Sequence, residues 1–326
     1  MKTEAIVVGE DHVARLEPVE LPELTPTRVR IATTLSGVSC GTEADSTSGR
    51  GTYITRPFIA GYQAVGRVAE VGSKVSNLRV GDMVFTTGGG LWNRPHLFGG
   101  SHARKLVVEA ADVVALSPGN PSLPSSAYAA LAAVGLEGLL RMPLEPGRVL
   151  LVLGLGMLGH MAGRLAQLRG LRVVGANRSL WKRDTAQAFG FDAVCPPEAE
   201  EIQAQVKSLG FGAVRYVVDT TGHPTMFELA LTQLEPCGEL SLLGYYPDPY
   251  PVNFDACHAK RLTIHNPVGW GIHLPEVIQR IEEGRLNVES LIRRCLTPSQ
   301  ITAFYADLVQ NHSQYLGAII DWCATD

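Results

Sequence analysis

Two patterns of apolar residues divide the chain and predict two kinds of domain. Up to about residue 120, short β-type runs such as 28–32, 64–68 and 105–108 are separated by Gly, Pro and Asp. This spacing predicts an all-β, partly closed barrel or sandwich. Further on, apolar strands alternate with helix-like stretches, which is typical of a doubly wound parallel sheet.

The second pattern begins with an Ala- and Leu-rich helix expected at 125–141. Residues 148–153 follow as an uninterrupted apolar run, which indicates a strand buried on both faces of a parallel sheet. Further helices are expected at 157–169, 180–189, 199–209, 225–235, 275–283 and 298–310. Further strands are expected at 171–176, 193–195, 214–219, 238–244, 261–265 and 317–322.

The length of 326 residues and this order of elements predict two domains, the first of them discontinuous in sequence. Residues 1–124 would form a β-rich catalytic domain and 125–271 a Rossmann dinucleotide-binding domain. Residues 272–326 would return to complete the catalytic domain, with strand 317–322 rejoining its sheet. The expected fold class is therefore α/β, a doubly wound parallel sheet combined with an all-β, partly closed barrel.

The composition of the chain limits the classes of partner that we expect. A formal net charge of −4 gives no general attraction to nucleic acid or to anionic membranes. The six cysteines are scattered without close pairs, which fits neither a disulfide framework nor a zinc-finger spacing. Neither a signal peptide nor a membrane-spanning apolar segment is visible, so we expect a cytoplasmic protein that acts on a small molecule.

A glycine fingerprint follows the 148–153 strand and opens the next helix. Gly154 permits the tight turn, Gly156 lets the backbone approach a pyrophosphate, and Gly159 allows close packing of helix on strand. The N–H groups at the helix start, including those of Met157 and Leu158, face the anion. The motif stands in the required strand–helix–strand order and predicts a dinucleotide site.

The end of the second strand of this sheet indicates which nucleotide is bound. In NAD-binding sheets an acid at this place grips the adenosine ribose, but here the residues are Asn177, Arg178 and Ser179, with Lys182 close behind. A guanidinium can bind a 2′-phosphate that a carboxylate would repel. The alternative is that these are ordinary solvated cations, yet cations at a helix N-terminus oppose the helix dipole. We therefore expect NADPH.

Loops at the carboxyl ends of the fourth and fifth strands supply further candidate cofactor contacts. They are Thr220, Thr221, Gly222, Gly244 and Tyr245. Ligands of such sheets lie at the carboxyl ends of strands. Each residue is equally consistent with a plain loop position.

Motifs spread over nearly the whole chain resemble the medium-chain dehydrogenase/reductase superfamily, with its alcohol-dehydrogenase-like (GroES-like plus Rossmann) fold. Besides the glycine fingerprint, they are Ser36–Glu43, Gly61–Val68, Val71–Gly72 and Val80–Asp82. Leu97–Gly99, Ile320–Trp322 and the Gly-Thr-Glu variant resemble bacteriochlorophyllide dehydrogenase-type members more narrowly. The resemblance implies a homodimer in which the strand near 262–264 pairs with its twofold mate.

The chain departs from the zinc enzymes of that superfamily at the metal site. Cys40 stands at the first ligand position, but Tyr62 replaces the ligand histidine and Gln63 the glutamate after it. Residues 131–137 offer no convincing third ligand, and 86–104 lack the four cysteines of the structural zinc lobe. Catalytic zinc needs three N, S or carboxylate ligands, so we expect no metal.

Without zinc, another group must polarise the substrate and deliver a proton. Tyr62 is the first candidate donor, although a cleft-wall aromatic is an equally good interpretation. Cys40 is a second candidate or a small buried filler. By the resemblance, Asp45 takes the place of a proton-relay residue and Glu43 holds its loop together. The aromatic residues Tyr53, Trp92 and Trp270 are expected to line the substrate pocket.

Three functions remain open at this point. The first is reversible oxidoreduction of a carbonyl or secondary alcohol with NADPH. The second is reduction of a conjugated C=C or cyclic C=N bond, as by an enoyl or imine reductase, which needs less polarisation of the acceptor. The third is a non-catalytic NADPH-binding protein.

Overall fold

The computed structural model describes residues 1–50, 54–120, 122–246, 252–267, 269 and 271–324. The chain forms two compact units, one of Met1–Ala130 with Leu274–Asp326 and one of Leu131–His273. Their elements are numbered here in chain order. The strands are β1 (Lys2–Val8), β2 (Ala14–Glu20), β3 (Arg28–Val38), β4 (Phe58–Ile59), β5 (Ala64–Val71), β6 (Met83–Thr86), β7 (Lys105–Glu109), β8 (Val114–Ala115), β9 (Val149–Leu153), β10 (Arg172–Ala176), β11 (Ala193–Cys195), β12 (Val214–Asp219), β13 (Leu234–Leu242), β14 (Thr263–His265), β15 (Ile292–Leu296) and β16 (Gly317–Asp321). The α-helices are α1 (Cys40–Ser48), α2 (Leu123–Ser126), α3 (Ala129–Leu140), α4 (Met157–Gln167), α5 (Leu180–Ala188), α6 (Ala199–Ser208), α7 (Pro224–Gln233), α8 (Phe254–Lys260), α9 (Leu274–Glu282) and α10 (Ile301–Asn311).

The first unit is built on two β-sheets. The larger has the strand order β15-β16-β3-β5-β6-β8, with β7 paired to β3, and the smaller has the order β2-β1-β4. β16 pairs antiparallel with β3, Ile320 opposite Ser36, which confirms that the closing strand rejoins the first sheet. Alternate residues of β3, such as Val29 and Ile31, point into the core and are fully buried.

The second unit is a parallel sheet with the order β11-β10-β9-β12-β13-β14. The residues of the central strand β9 are all fully buried, as its uninterrupted apolar sequence predicts. Burying one such Leu or Val side chain contributes roughly 1.5–3 kcal/mol. The expected doubly wound sheet is confirmed, and the carboxyl ends of β9, β10, β12 and β13 lie along one edge of it.

One helix and one strand of the first unit were not expected from the sequence. Residues 40–48 form α1, although they are rich in Ser, Thr and Gly, and 292–296 form the edge strand β15. α1 buries Glu43, Ser46 and Thr47. Ser46 donates from Oγ to the carbonyl of Thr42 at 2.7 Å. Glu43 also accepts the hydroxyl of Tyr305 from α10, so tertiary contacts override weak helix propensity here.

The elements expected for the Rossmann domain also differ in part. The helix expected at 125–141 is broken into α2 and α3 at Tyr128, whose N–H donates to Ser125 O in a turn and whose hydroxyl donates to the carbonyl of Ala318. The helix α8 was not expected before β14. Its first turn is capped by Asn253, whose Oδ1 accepts from the N–H of Ala256 at 3.1 Å. Within the described part of the chain, no helix combines the length and the apolar composition of a membrane span.

Candidate functional site

The glycine turn after β9 has the backbone shape that its sequence predicts. Gly154 has φ +93°, in the left-handed region. A Cβ at Gly159 would lie 2.0 Å from the carbonyl oxygen of Gly154, so no side chain fits there. At Gly156, by contrast, an added Cβ would meet nothing within 4 Å. Space is therefore open above the backbone at this glycine.

Gly156 is also the N-cap of α4, and no described side chain caps this end. The N–H groups of the first turn, at Met157 and Leu158, are thus left for a ligand. With the dipole of an 11-residue helix behind them, they suit an anion. The residues present fit the pyrophosphate of a dinucleotide.

The turn after β10 brings the predicted specificity residues together. Asn177 accepts the N–H of Ser179 on Oδ1 at 2.9 Å. Arg183 donates from Nη1 to the carbonyls of Asn177 and Arg178, at 2.7 and 3.0 Å, and so braces the turn. Arg178 itself is exposed at the tip. Lys182, predicted as a cofactor contact, is buried with Nζ 5.4 Å from the centre of the Trp181 ring, and so is not an ordinary solvated cation.

Asp219, at the end of β12, organises the loops that carry the remaining predicted cofactor contacts. Its Oδ1 accepts the N–H and the hydroxyl of Thr221 at 2.8 and 2.6 Å, and its Oδ2 accepts the hydroxyl of Tyr246 at 3.0 Å. Its carbonyl accepts the N–H of Gly244 at 3.0 Å. Thr220 donates from Oγ1 to the carbonyl of Gly154 at 3.0 Å, which ties these loops to the glycine turn.

Sequence reasoning gave Asp219 no role, although an acid that ends an apolar strand could have been noticed. The residue is fully buried. Burial raises the pKa of its carboxyl above the ordinary value, against the opposing effect of the hydrogen bonds from Thr221 and Tyr246. The loops also touch directly, since a Cβ at Gly222 would lie 1.9 Å from the carbonyl oxygen of Tyr245.

In the first unit, α1 carries two of the predicted catalytic residues. Cys40 is its first residue, 9% exposed, with Sγ 3.9 Å from the carbonyl of Val38. Asp45 lies one turn further on and pairs with Arg50 at 2.8 Å. Asp45 is therefore engaged in a partly exposed ion pair, which a proton relay would have to open.

Tyr62, the third predicted catalytic residue, is 4% exposed and packs against Phe98. The two ring centres are 5.5 Å apart at 84°, an edge-to-face contact. Phe98 has φ +48°, a conformation rare for a bulky residue, yet its side chain is 44% exposed. Strained residues of this kind concentrate at functional sites.

The residues that stand at the zinc-site motif of the zinc enzymes make other contacts here. Gln63 is fully buried and donates from Nε2 to the carbonyl of Gly37 at 3.3 Å. Tyr62 packs on Phe98, and Cys40 offers one thiol. Among the described residues, no group of three or more His, Cys, Asp or Glu side chains is placed to hold a metal ion. The residues present do not fit a zinc ion.

Of the three aromatic residues predicted to line the substrate pocket, Trp92 lies within the described part of the chain. Trp92 is 7% exposed and donates from Nε1 to the carbonyls of Gly99 and Gly100, at 3.1 and 3.0 Å. It braces the glycine-rich loop beside Phe98. Tyr53 and Trp270 lie outside the described residues.

Comparison with known proteins gives two family models in sequence order. An alcohol dehydrogenase GroES-like domain matches residues 25–118, and a zinc-binding dehydrogenase domain matches residues 158–283. The 2-desacetyl-2-hydroxyethyl bacteriochlorophyllide A dehydrogenase of Cereibacter sphaeroides is 26% identical over 100% of both chains. An alcohol dehydrogenase of Rhizobium meliloti is 28% identical over 83% of this chain and 85% of its own.

A solved structure agrees with these matches at the level of the fold. A protein of Sinorhizobium meliloti described as a zinc-binding dehydrogenase, solved bound to NADP, superposes with a TM-score of 0.84. The match covers 98% of this chain and 99% of that one, at 18% identity. The α/β fold, with a GroES-like region and a Rossmann domain, is thereby confirmed.

Proposed function

Because this chain belongs to the medium-chain dehydrogenase/reductase family of alcohol-dehydrogenase-like oxidoreductases, we propose that it is an NADPH-dependent member that works without zinc. Its reaction transfers a hydride to or from a carbonyl or secondary alcohol of a small-to-medium metabolite. The observation that carries the proposal is the open backbone at Gly156, at the uncapped start of α4.

NADPH is proposed over NADH because of the charges at the end of β10. Asn177 stands where NAD-binding sheets place an acid, and Arg178 is exposed next to it. Arg183 holds both residues of this turn by their carbonyls, so the Arg178 guanidinium is presented from a braced backbone. A bidentate guanidinium–phosphate contact is the interaction expected with the 2′-phosphate.

When bound, NADPH supplies the hydride, and the protein orients the acceptor and handles the proton. Tyr62 is proposed as the proton donor, with its ring fixed by Phe98. Cys40 and Asp45, both on α1, are proposed to line the same site, and Phe98 offers an apolar face for the substrate. A general acid contributes about 10²–10⁴-fold to a rate, so Tyr62→Phe is expected to lower kcat by about 100-fold.

Reduction of a conjugated C=C or cyclic C=N bond is the second candidate. The observation in its favour is the poor fit of Cys40, Tyr62 and Gln63 to zinc, since such acceptors need less polarisation than a ketone. The bacteriochlorophyllide relative is named for a hydroxyethyl side chain on a large substrate, which favours the alcohol reaction.

The proposed assembly is a homodimer without nucleic acid or membrane partners. β14 is the last strand of the parallel sheet among the described residues, and we propose that its outer edge pairs with a second copy in an isologous contact. A monomer in light scattering would reject this assembly and leave the proposed reaction untouched.

One experiment tests the proposed function. Calorimetry should show NADPH binding more tightly than NADH, and elemental analysis should show no stoichiometric zinc. NADPH oxidation should then be followed on a panel of ketones, aldehydes, enones and cyclic imines. Turnover confined to enones or imines selects the second candidate. Tight binding without turnover of any member indicates a non-catalytic protein, and failure to bind either coenzyme refutes the proposal.

A further inference from the structure

Three buried side chains link separate segments of the first unit. Glu43 lies on α1, His102 precedes β7 and Tyr305 lies on α10, and they are 1%, 0% and 1% exposed. We propose that this Glu–His–Tyr network positions the catalytic segments in place of a metal ion. The inference rests on the proposed function, since the segments it holds are those that carry Tyr62, Cys40 and Asp45.

The carboxylate of Glu43 is the centre of the network. Its Oε1 accepts the N–H of Ser39 at 2.8 Å. Its Oε2 accepts the hydroxyl of Tyr305 and lies 3.1 Å from Nε2 of His102. Burial and the neighbouring Glu43 raise the pKa of Tyr305 well above its usual value, so its hydroxyl stays protonated and donates.

His102 connects the network to the backbone segment that presents Tyr62. A Cβ at Gly61 would lie 2.4 Å from Cγ and Nδ1 of the imidazole, so the ring packs directly on this backbone. The N–H of His102 donates to the carbonyl of Ala60 at 3.0 Å. A shift of the ring therefore displaces the segment 60–62 that presents Tyr62.

Glu43 connects the network to helix α1. The buried side chains of this helix are Cys40, Glu43, Ala44, Ser46 and Thr47. Most of them are small or polar, so the burial of large apolar groups does little to hold the helix. The bonds of Glu43 to the N-cap residue Ser39 and to Tyr305 of α10 supply the attachment instead. Cys40 and Asp45 are fixed with it.

Placing a carboxylate in the interior is a costly way to gain stability. Desolvation offsets much of the attraction in a buried polar pair, and apolar residues of equal volume often stabilise as well or better. Both oxygens of the Glu43 carboxylate are bonded here, although Nδ1 of His102 is buried with no hydrogen-bond partner among the described residues. Buried polar groups that are bonded in this way favour one arrangement of the segments that carry them. We therefore assign positioning, rather than stability alone, to the network.

The test removes one hydroxyl. Tyr305→Phe should lower kcat at least about tenfold, because small misplacements of reacting groups cost up to about 10²-fold. Its NADPH affinity should equal that of the wild type, since the nucleotide residues lie in the other unit. The control is Tyr315→Phe, which removes a hydroxyl bonded to the exposed carboxylate of Asp307. This control should keep the wild-type kcat.

A second readout does not need activity. Loss of the network should speed alkylation of Cys40 by iodoacetamide, measured on its peptide by mass spectrometry. Cys195, buried in the second unit, serves as the internal reference and should not change. If Tyr305→Phe fails to fold, the isosteric Glu43→Gln is measured in the same two ways.

The outcomes separate the two claims. A folded variant with wild-type kcat and wild-type Cys40 alkylation overturns the network, even if its melting temperature falls. A wild-type protein that binds no NADPH refutes the proposed function, while faster alkylation of Cys40 in the variant still supports the network.

Discussion

The glycine turn of the second unit and the α1 region of the first unit are built by opposite means. At the turn, backbone atoms make the site, because Gly156 leaves open space above the backbone and no described side chain caps the N–H groups of α4. Around α1, buried side chains such as Glu43 and Gln63 make the site. A site made of backbone tolerates change in most side chains, whereas one made of side chains changes its chemistry with each substitution. This contrast explains why one chain keeps a recognisable nucleotide-binding motif and yet departs from the zinc enzymes at the residues of the metal-site motif.

The largest effect is expected when one methyl group is added to the glycine turn, which tests whether its backbone makes the nucleotide site. Gly156→Ala meets no atom within 4 Å, so the fold should persist while NADPH binding falls by about 100-fold or more, since the methyl occupies the pyrophosphate position. Calorimetry measures the affinity and thermal melting measures the fold.

Two further variants serve as controls for Gly156→Ala. Gly159→Ala should lose both binding and stability, because its Cβ would lie 2.0 Å from Gly154 O. Gly41→Ala, in α1, also meets open space and should leave NADPH affinity unchanged. Normal NADPH binding by Gly156→Ala would refute the assignment of the turn.

The next largest effect is expected at the 2′-phosphate. Arg178→Ala should weaken NADPH binding by about 10–100-fold and leave NADH little changed, because charged hydrogen bonds contribute about 1.5–3 kcal/mol. The matched control is Arg172→Ala, at the opposite end of the same strand, where Arg172 pairs with Asp192 at 3.3 Å. Equal loss of both coenzymes in Arg178→Ala would show that Arg178 supports the fold instead.

A smaller effect is expected at Phe98, whose ring is proposed to contact the substrate. Phe98→Ala should raise the KM for the carbonyl substrate several-fold while the KM for NADPH stays the same, because an apolar contact in a pocket contributes about 1–3 kcal/mol to binding. Phe189→Ala, an aromatic of the second unit packed on His160, is the control for loss of an aromatic ring. An unchanged substrate KM in Phe98→Ala would remove Phe98 from the site.

The smallest effect is a pH dependence of stability at Asp219. Its folded-state pKa is raised, so its favourable contribution is present below the unfolded pKa of about 3.9 and is lost as the pH rises through the folded value. Wild type should therefore gain stability relative to Asp219→Asn as the pH falls from 7 towards 4. Urea melts across this range measure the difference, and parallel curves would contradict the assignment.

Much of the second unit could be predicted because its signals are local. The apolar run of β9 and the glycines after it specify a buried strand and a tight turn within a dozen residues. Helix α1 and the broken helix at Tyr128 could not be predicted in this way. Their conformations depend on partners far along the chain, such as Ala318, whose carbonyl accepts the hydroxyl of Tyr128.

The candidate site divides in the same manner. The residue types at Cys40, Tyr62 and Gln63 predict a poor zinc site, and the absence of zinc stays a prediction. The burial of Lys182, the brace formed by Arg183 and the part played by Asp219 were not visible from residue type. Burial and hydrogen bonding depend on what packs around a side chain, and no local pattern records that.

By itself, the sequence determined the two domain types, the glycine turn and the cationic strand end, because each depends on backbone geometry or charge within one short segment. Only the tertiary structure decided that Glu43, His102 and Tyr305 meet. They are far apart in the chain, and the pairing of β16 with β3 and the packing of α10 on α1 bring them together. The physical reason is that a buried carboxylate must find its donors wherever the fold places them.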